Sequence, residues 1–108
     1  MAIRMDKQNH VLWSNRSAAL CAVGNYERAL TDAERCIKLA PDWGKGHARK
    51  GAALIGLGQG GEAVKAYLKG LHVDPENEAL KGGLTEAKES IRQAKARYEE
   101  YWGKSADQ

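Results

Sequence analysis

Only two prolines and two cysteines occur in the 108 residues, and long apolar runs are missing altogether. Each shortage excludes something. No stretch approaches the ~18 consecutive apolar residues that span a membrane, and no signal-peptide pattern opens the chain, so a cytoplasmic protein is expected. Cys21 and Cys36 lie inside helical patterns without metal-ligand spacing. They read as small buried thiols of a reduced compartment rather than as a disulfide. An excess of one charge is missing too, since 17 Lys and Arg against 14 Asp and Glu leave a formal +3. That balance leans toward an acidic partner and falls short of the basic stripe of a nucleic-acid binder.

The ingredients of catalysis are equally sparse. His10, His47 and His72 have no i,i+4 pairing with one another or with a cysteine, so no metal ligand set is expected. No Ser or Cys has a base-and-orienter arrangement around it. The chain therefore reads as a non-enzyme, with no catalytic residue, no metal and no cofactor. Gly56, Gly58 and Gly61 fit G-x-G-x-x-G, but a nucleotide site needs that loop between a strand and a helix. Here it follows a helical pattern and reads as a turn. Asn15-Arg16-Ser17 spells a glycosylation acceptor, yet it falls in the middle of a helical pattern.

What the chain does have is a repeat. AIRMDKQN from residue 2, CIKLAPDW from residue 36 and GLHVDPEN from residue 70 align without a gap, at steps of 36 − 2 = 34 and 70 − 36 = 34. Asn15 and Arg49, Ser17 and Gly51, Leu20 and Leu54, Gly24 and Gly58, and Ala29 and Ala63 keep the same step. A period of 34 with two helical stretches per period is the signature of stacked helix-turn-helix units. With 43% hydrophobic residues, the chain can bury one compact all-α core. The expected helices run from an Asn9 cap to about Val23, from 26 to 39, from about 43 to 57 behind an Asp42 cap, from 61 to 73, and from 76 or 77 to about 102.

Trp13, Ser17, Leu20, Ala29 and Pro41, then Gly51, Leu54, Ala63, Tyr67 and Pro75, match the pattern of the tetratricopeptide-repeat (TPR) family, which the chain resembles. Arg16, Ala33 and Gly70 depart from it, standing where the family usually has Leu, an aromatic and Ala. The resemblance implies an all-α helical solenoid of antiparallel helix pairs. Its expected parts are a remnant of a preceding repeat (1–8), repeats at 9–42 and 43–76, a C-terminal capping helix (77–102) and a frayed tail (103–108).

The decapeptide PDWGKGHARK at 41–50 carries the candidate site. Lys45 and Arg49 are four residues apart, which stacks two cations on one helix face and suits a ligand with two neighbouring carboxylates. In a stacked array the first helices of successive repeats lie side by side, about 10 Å apart, so Asn15 should join Lys45 and Arg49 on one concave patch. Arg can grip a carboxylate with two parallel bonds, Lys adds a compact charge, and Asn donates amide hydrogens.

The strings HVLWSNRSAAL and PDWGKGHARKGAAL are similar to those of the Hsp-organising (Hop) co-chaperones, in their N-terminal TPR domain. That resemblance implies an adaptor whose two-carboxylate clamp takes the Glu-Glu-Val-Asp tail of heat-shock protein 70, or alternatively of heat-shock protein 90. By position Asn15, Lys45 and Arg49 match clamp residues, and Ala18 matches a small residue beside the peptide. Ala22 stands where a further Lys is frequent. The family's clamp also draws a Lys and an Asn from the first helix of a preceding repeat, a helix this sequence is expected to lack; residues 1–5 read only as the last turn of a helix and are too short to replace it. Three of five clamp positions are thus expected, with binding in the millimolar range or none detected. The rival expectation is a TPR scaffold that binds an unrelated peptide. Neither a nucleic acid nor a membrane is an expected partner. Leu80, Leu84, Ala87, Ile91, Ala94, Tyr98 and Tyr101 keep strict 4-3 spacing, a seam whose second half extends beyond what capping needs. It is expected to cover a repeat face of a second copy, as a homodimer, or to pack back on its own chain.

Overall fold

The computed structural model describes residues 8–103 and consists of five α-helices. They are α1 (His10–Ala22), α2 (Tyr26–Leu39), α3 (Gly44–Gly56), α4 (Gly60–Val73) and α5 (Glu78–Tyr98), the last continued by a π-helical turn, Glu99–Gly103. The helix starts keep the sequence period: 44 − 10 and 78 − 44 both give 34, and so does 60 − 26. The expected preceding turn at residues 1–5 lies outside the described residues, as does the tail from 104. Gly103, assigned above to that tail, closes the π turn.

Local chemistry fixes the boundaries. The side chain of Asn9 accepts from the Val11 amide at 3.0 Å, that of Asn25 from Arg28 at 3.4 Å, and that of Asn77 from Leu80 at 3.0 Å. Each satisfies one of the orphan donors of a first turn. Asp42 does not cap α3. The Trp43 amide donates to the Ala40 carbonyl at 3.1 Å, which puts Asp42 inside a turn and makes Trp43 the N-cap, with no side-chain bond. Between the helices of each pair, Gly24 (φ 83°) and Gly58 (φ 77°) hold the left-handed conformation that glycine adopts without strain. The glycine cluster at 56–61 is accordingly a turn between α3 and α4.

The pairs α1–α2 and α3–α4 are antiparallel hairpins. The first helices α1, α3 and α5 touch in succession, whereas among the described residues α2 meets no part of α4 or α5. That arrangement lays first helices side by side along one face, as in a repeat solenoid. Fully buried Ala29, Ala33, Ala53 and Ala63 let the helices approach, and Leu54, Tyr67, Leu80 and Ala87 build the core between α3, α4 and α5. Tyr67 is the keystone of that core. A Cβ on Gly51 of α3, or on Gly83 of α5, would lie inside its ring. Burial first, and the negative charge of Glu86 second, push the Tyr67 hydroxyl up to about 12. The α5 seam divides as its spacing suggests. Leu80 and Ala87 are buried, while residues 91–102 are exposed throughout.

At Arg16 the family's usual Leu is replaced by half of an ion pair. Its Nε lies 2.8 Å from Asp32 Oδ2 across the α1–α2 hairpin, and Asp32 is 3% exposed. The contact is a close charge pair at Oδ2. Burial raises the Asp32 pKa above the ordinary carboxylate value, and Arg16, Arg28 and Arg35 offset part of that rise. Removing one partner of such a pair costs more than removing both, because a buried charge is left unpaired. Arg16→Leu should therefore lower unfolding free energy in urea by about 1–3 kcal/mol, and adding Asp32→Ala should recover most of the loss. Additive losses in the double mutant would show that the pair is not coupled.

Candidate functional site

Arg49 is the central group of the cationic patch. It is half-buried on α3, and its Nε donates to Ser14 Oγ on α1 at 3.2 Å. Ser14 is fully buried, so it can hold the guanidinium without competing water. Arg49 also lies in the fields of two thiols: burial pushes Cys21 and Cys36 above their ordinary range, and the Arg49 charge offsets part of the shift. Neither cysteine is in a disulfide. Among the described residues, no other hydrogen bond or ion pair of Arg49 is formed.

One turn earlier on α3, Lys45 is exposed, with Nζ 5.8 Å from the centroid of the Trp43 ring. Trp43 meets His10 of α1 edge-on, with ring centroids 4.6 Å apart, and so joins the two helices at their N-terminal ends. Below it, His47 is buried and its Nε2 lies 2.9 Å from the Pro41 carbonyl, which ties α3 to the preceding turn. Asn15 is exposed on α1 next to Ser14, and Ala18 is half-buried one turn beyond Ser14. Among the described residues, neither Asn15 nor Lys45 is committed to a hydrogen bond or ion pair.

Of the four residues singled out from sequence, Arg49 is thus joined to the α1 turn that carries Asn15, Lys45 shares its helix face, and Ala18 flanks the same turn without a polar contact. Ser14 was not foreseen. Its signal lay only in the step of 34, because 49 − 34 = 15 places Arg49 beside residues 14 and 15 once the helices stack.

Comparison with known proteins agrees with this architecture. A family model described as tetratricopeptide repeat matches residues 10–43. The Hsp70-Hsp90 organizing protein of Triticum aestivum is 54% identical over 89 residues, covering 82% of this chain and 15% of that protein. The chain spans 15–17% of the length of the first curated relatives it matches. The second TPR domain of human RPAP3, solved in complex with the HSP70 peptide SGPTIEEVD, is 31% identical with a TM-score of 0.74, over 80% of this chain and 72% of that one. The first TPR of Spaghetti (RPAP3), bound to the HSP90 peptide SRMEEVD, is 27% identical with a TM-score of 0.75, over 83% and 71% of the respective chains.

Proposed function

Because the chain belongs to the tetratricopeptide-repeat family, we propose that it is a co-chaperone adaptor that grips the Glu-Glu-Val-Asp tail of a heat-shock chaperone. The observation that carries this reading is the cationic patch: Arg49 fixed on a buried serine of the neighbouring helix, with Lys45 and Asn15 left open around it. A C-terminal Asp offers two carboxylates a few ångströms apart, one on the main chain and one on the side chain. Arg49 and Lys45 would take these, and Asn15 would add an amide donor. Ala18 leaves room for the peptide beside them.

The two peptides bound by structural neighbours, SGPTIEEVD and SRMEEVD, share this terminus. Heat-shock protein 70 is the partner indicated by the likeness to Hop, with heat-shock protein 90 the alternative. The role is binding without catalysis. The cytoplasm, where free thiols such as Cys21 and Cys36 persist, is its compartment. No helix among the described residues is long and apolar enough to cross a membrane.

Self-association is a second reading, favoured by one observation: the second half of α5 leaves Tyr98, Tyr101 and Trp102 more than half exposed. Sedimentation equilibrium at tens of micromolar should detect a dimer of the full chain that is lost when the chain ends at Gln93. A monomer in both cases excludes it.

For the principal reading, each charge-assisted contact to the terminal carboxylates is worth about 1.5–3 kcal/mol. Arg49→Ala should therefore weaken binding of a Glu-Glu-Val-Asp peptide roughly tenfold or more, with helix content unchanged in circular dichroism. Unchanged affinity would remove the clamp assignment.

A further inference from the structure

Beyond the cationic patch, a cavity of about 510 Å³ opens between the end of α3 and the middle of α5. Ile55 forms its apolar wall, Thr85 lies on its other side, and Glu86 and Glu89 give it a negative rim. The two carboxylates differ. Glu89 is bridged to Arg92 on its own helix, whereas Glu86 is exposed and has no cation paired with it among the described residues.

The position of this cavity relative to Arg49 follows from the helices. Ile55 is six residues beyond Arg49 on α3, or ~9 Å along the axis at 1.5 Å per residue. Glu86 and Glu89 are 34 residues beyond Ala52 and Ile55, hence level with them on the adjacent first helix, about 8–10 Å to the side. An extended peptide advances about 3.3 Å per residue. A tail anchored by its last residue at Arg49 therefore reaches the cavity after roughly three to five residues.

We propose that this cavity is a charge-selective subsite of the same groove, in which Glu86 favours a tail carrying a cationic side chain four or five positions before its C-terminal residue. The proposal rests on the clamp reading above and adds the residue that discriminates among tails sharing one terminus: SRMEEVD carries an Arg five positions before its last residue and SGPTIEEVD carries no cation there, so this subsite favours the heat-shock protein 90 alternative over heat-shock protein 70. Ile55 would take the aliphatic part of the incoming residue, and Glu86 its charge. An acidic residue in the same place meets Glu86 unshielded and is disfavoured. The groove thereby runs from a cationic end, which fixes the terminus, to an anionic end, which reads what precedes it.

The test uses the full chain, labelled with nitrogen-15, and three free-acid peptides Ser-Xaa-Met-Glu-Glu-Val-Asp with Arg, Gln or Glu at Xaa. Chemical-shift titration gives dissociation constants even in the millimolar range. The Arg peptide should bind about two- to fivefold tighter than the Gln peptide, as for an exposed ion pair, and the Glu peptide should bind weakest. The ranking should flatten in Glu86→Gln and at high salt, and invert in Glu86→Lys. Three equal affinities that all fall alike on Arg49→Ala would overturn this inference and leave the clamp standing. A ranking that persists unchanged in Glu86→Gln would overturn it as well. Binding that ignores Arg49→Ala, or no binding of any peptide, would remove the clamp reading and this inference together.

Discussion

Arg49 spans the gap between α3 and α1 by donating from Nε to Ser14 Oγ, and the geometry of the concave end depends on that contact. A free arginine on a helix surface samples many rotamers and loses their entropy on binding. Held on a hydroxyl that is closed to water, this one has part of that cost removed before any ligand arrives. The same bond sets the lateral position of the two first helices against each other, and with it the place of Asn15 relative to Lys45. Ser17 secures the other side of α1 by donating from Oγ to the Ala29 carbonyl of α2 at 2.8 Å. Two buried serines on one helix thus orient it against both neighbours.

The stack behind that contact is close because the residues at its crossings are small. Gly51 and Gly83 leave the slot that Tyr67 fills, and Gly56 does the same for Tyr26 of α2. Any side chain at those three positions would force the rings out and push α3 away from α2, α4 or α5. The groove face is consequently set in part by packing on its far side: Tyr67, wedged against Gly51 and Gly83, fixes the spacing of α3 and α5, which decides how far apart the cationic and anionic ends lie.

Much of this was legible in the sequence because the fold repeats. The step of 34 locates all five helices to within a few residues, and it alone puts Asn15 opposite Arg49. Where single-residue chemistry was allowed to overrule the period, it misled. Asp42 is a good capping residue, yet the cap position repeats as 9, 43 and 77, and in the middle repeat it is Trp43, whose ring is used against His10 and Lys45 instead. Arg16 looked like a tolerated departure from an apolar pattern. Its partner Asp32 lies on the neighbouring helix, at a separation that no helical periodicity encodes. Ser14 and Glu86 were silent for a related reason. A serine or a glutamate on a helix is ordinarily solvated, and only the lateral neighbour supplied by stacking gives either one a role.

The most direct test of a two-carboxylate clamp is to remove one carboxylate from the ligand and leave the protein intact. A peptide ending Glu-Glu-Val-Asp can be titrated into the chain twice, once as the free acid and once as the C-terminal amide, with all other contacts preserved. A patch built on Arg49, Lys45 and Asn15 predicts a loss of about tenfold or more on amidation, corresponding to one charge-assisted contact. Equal affinity for the acid and the amide would contradict it, because a groove indifferent to the terminal charge does not need those cations.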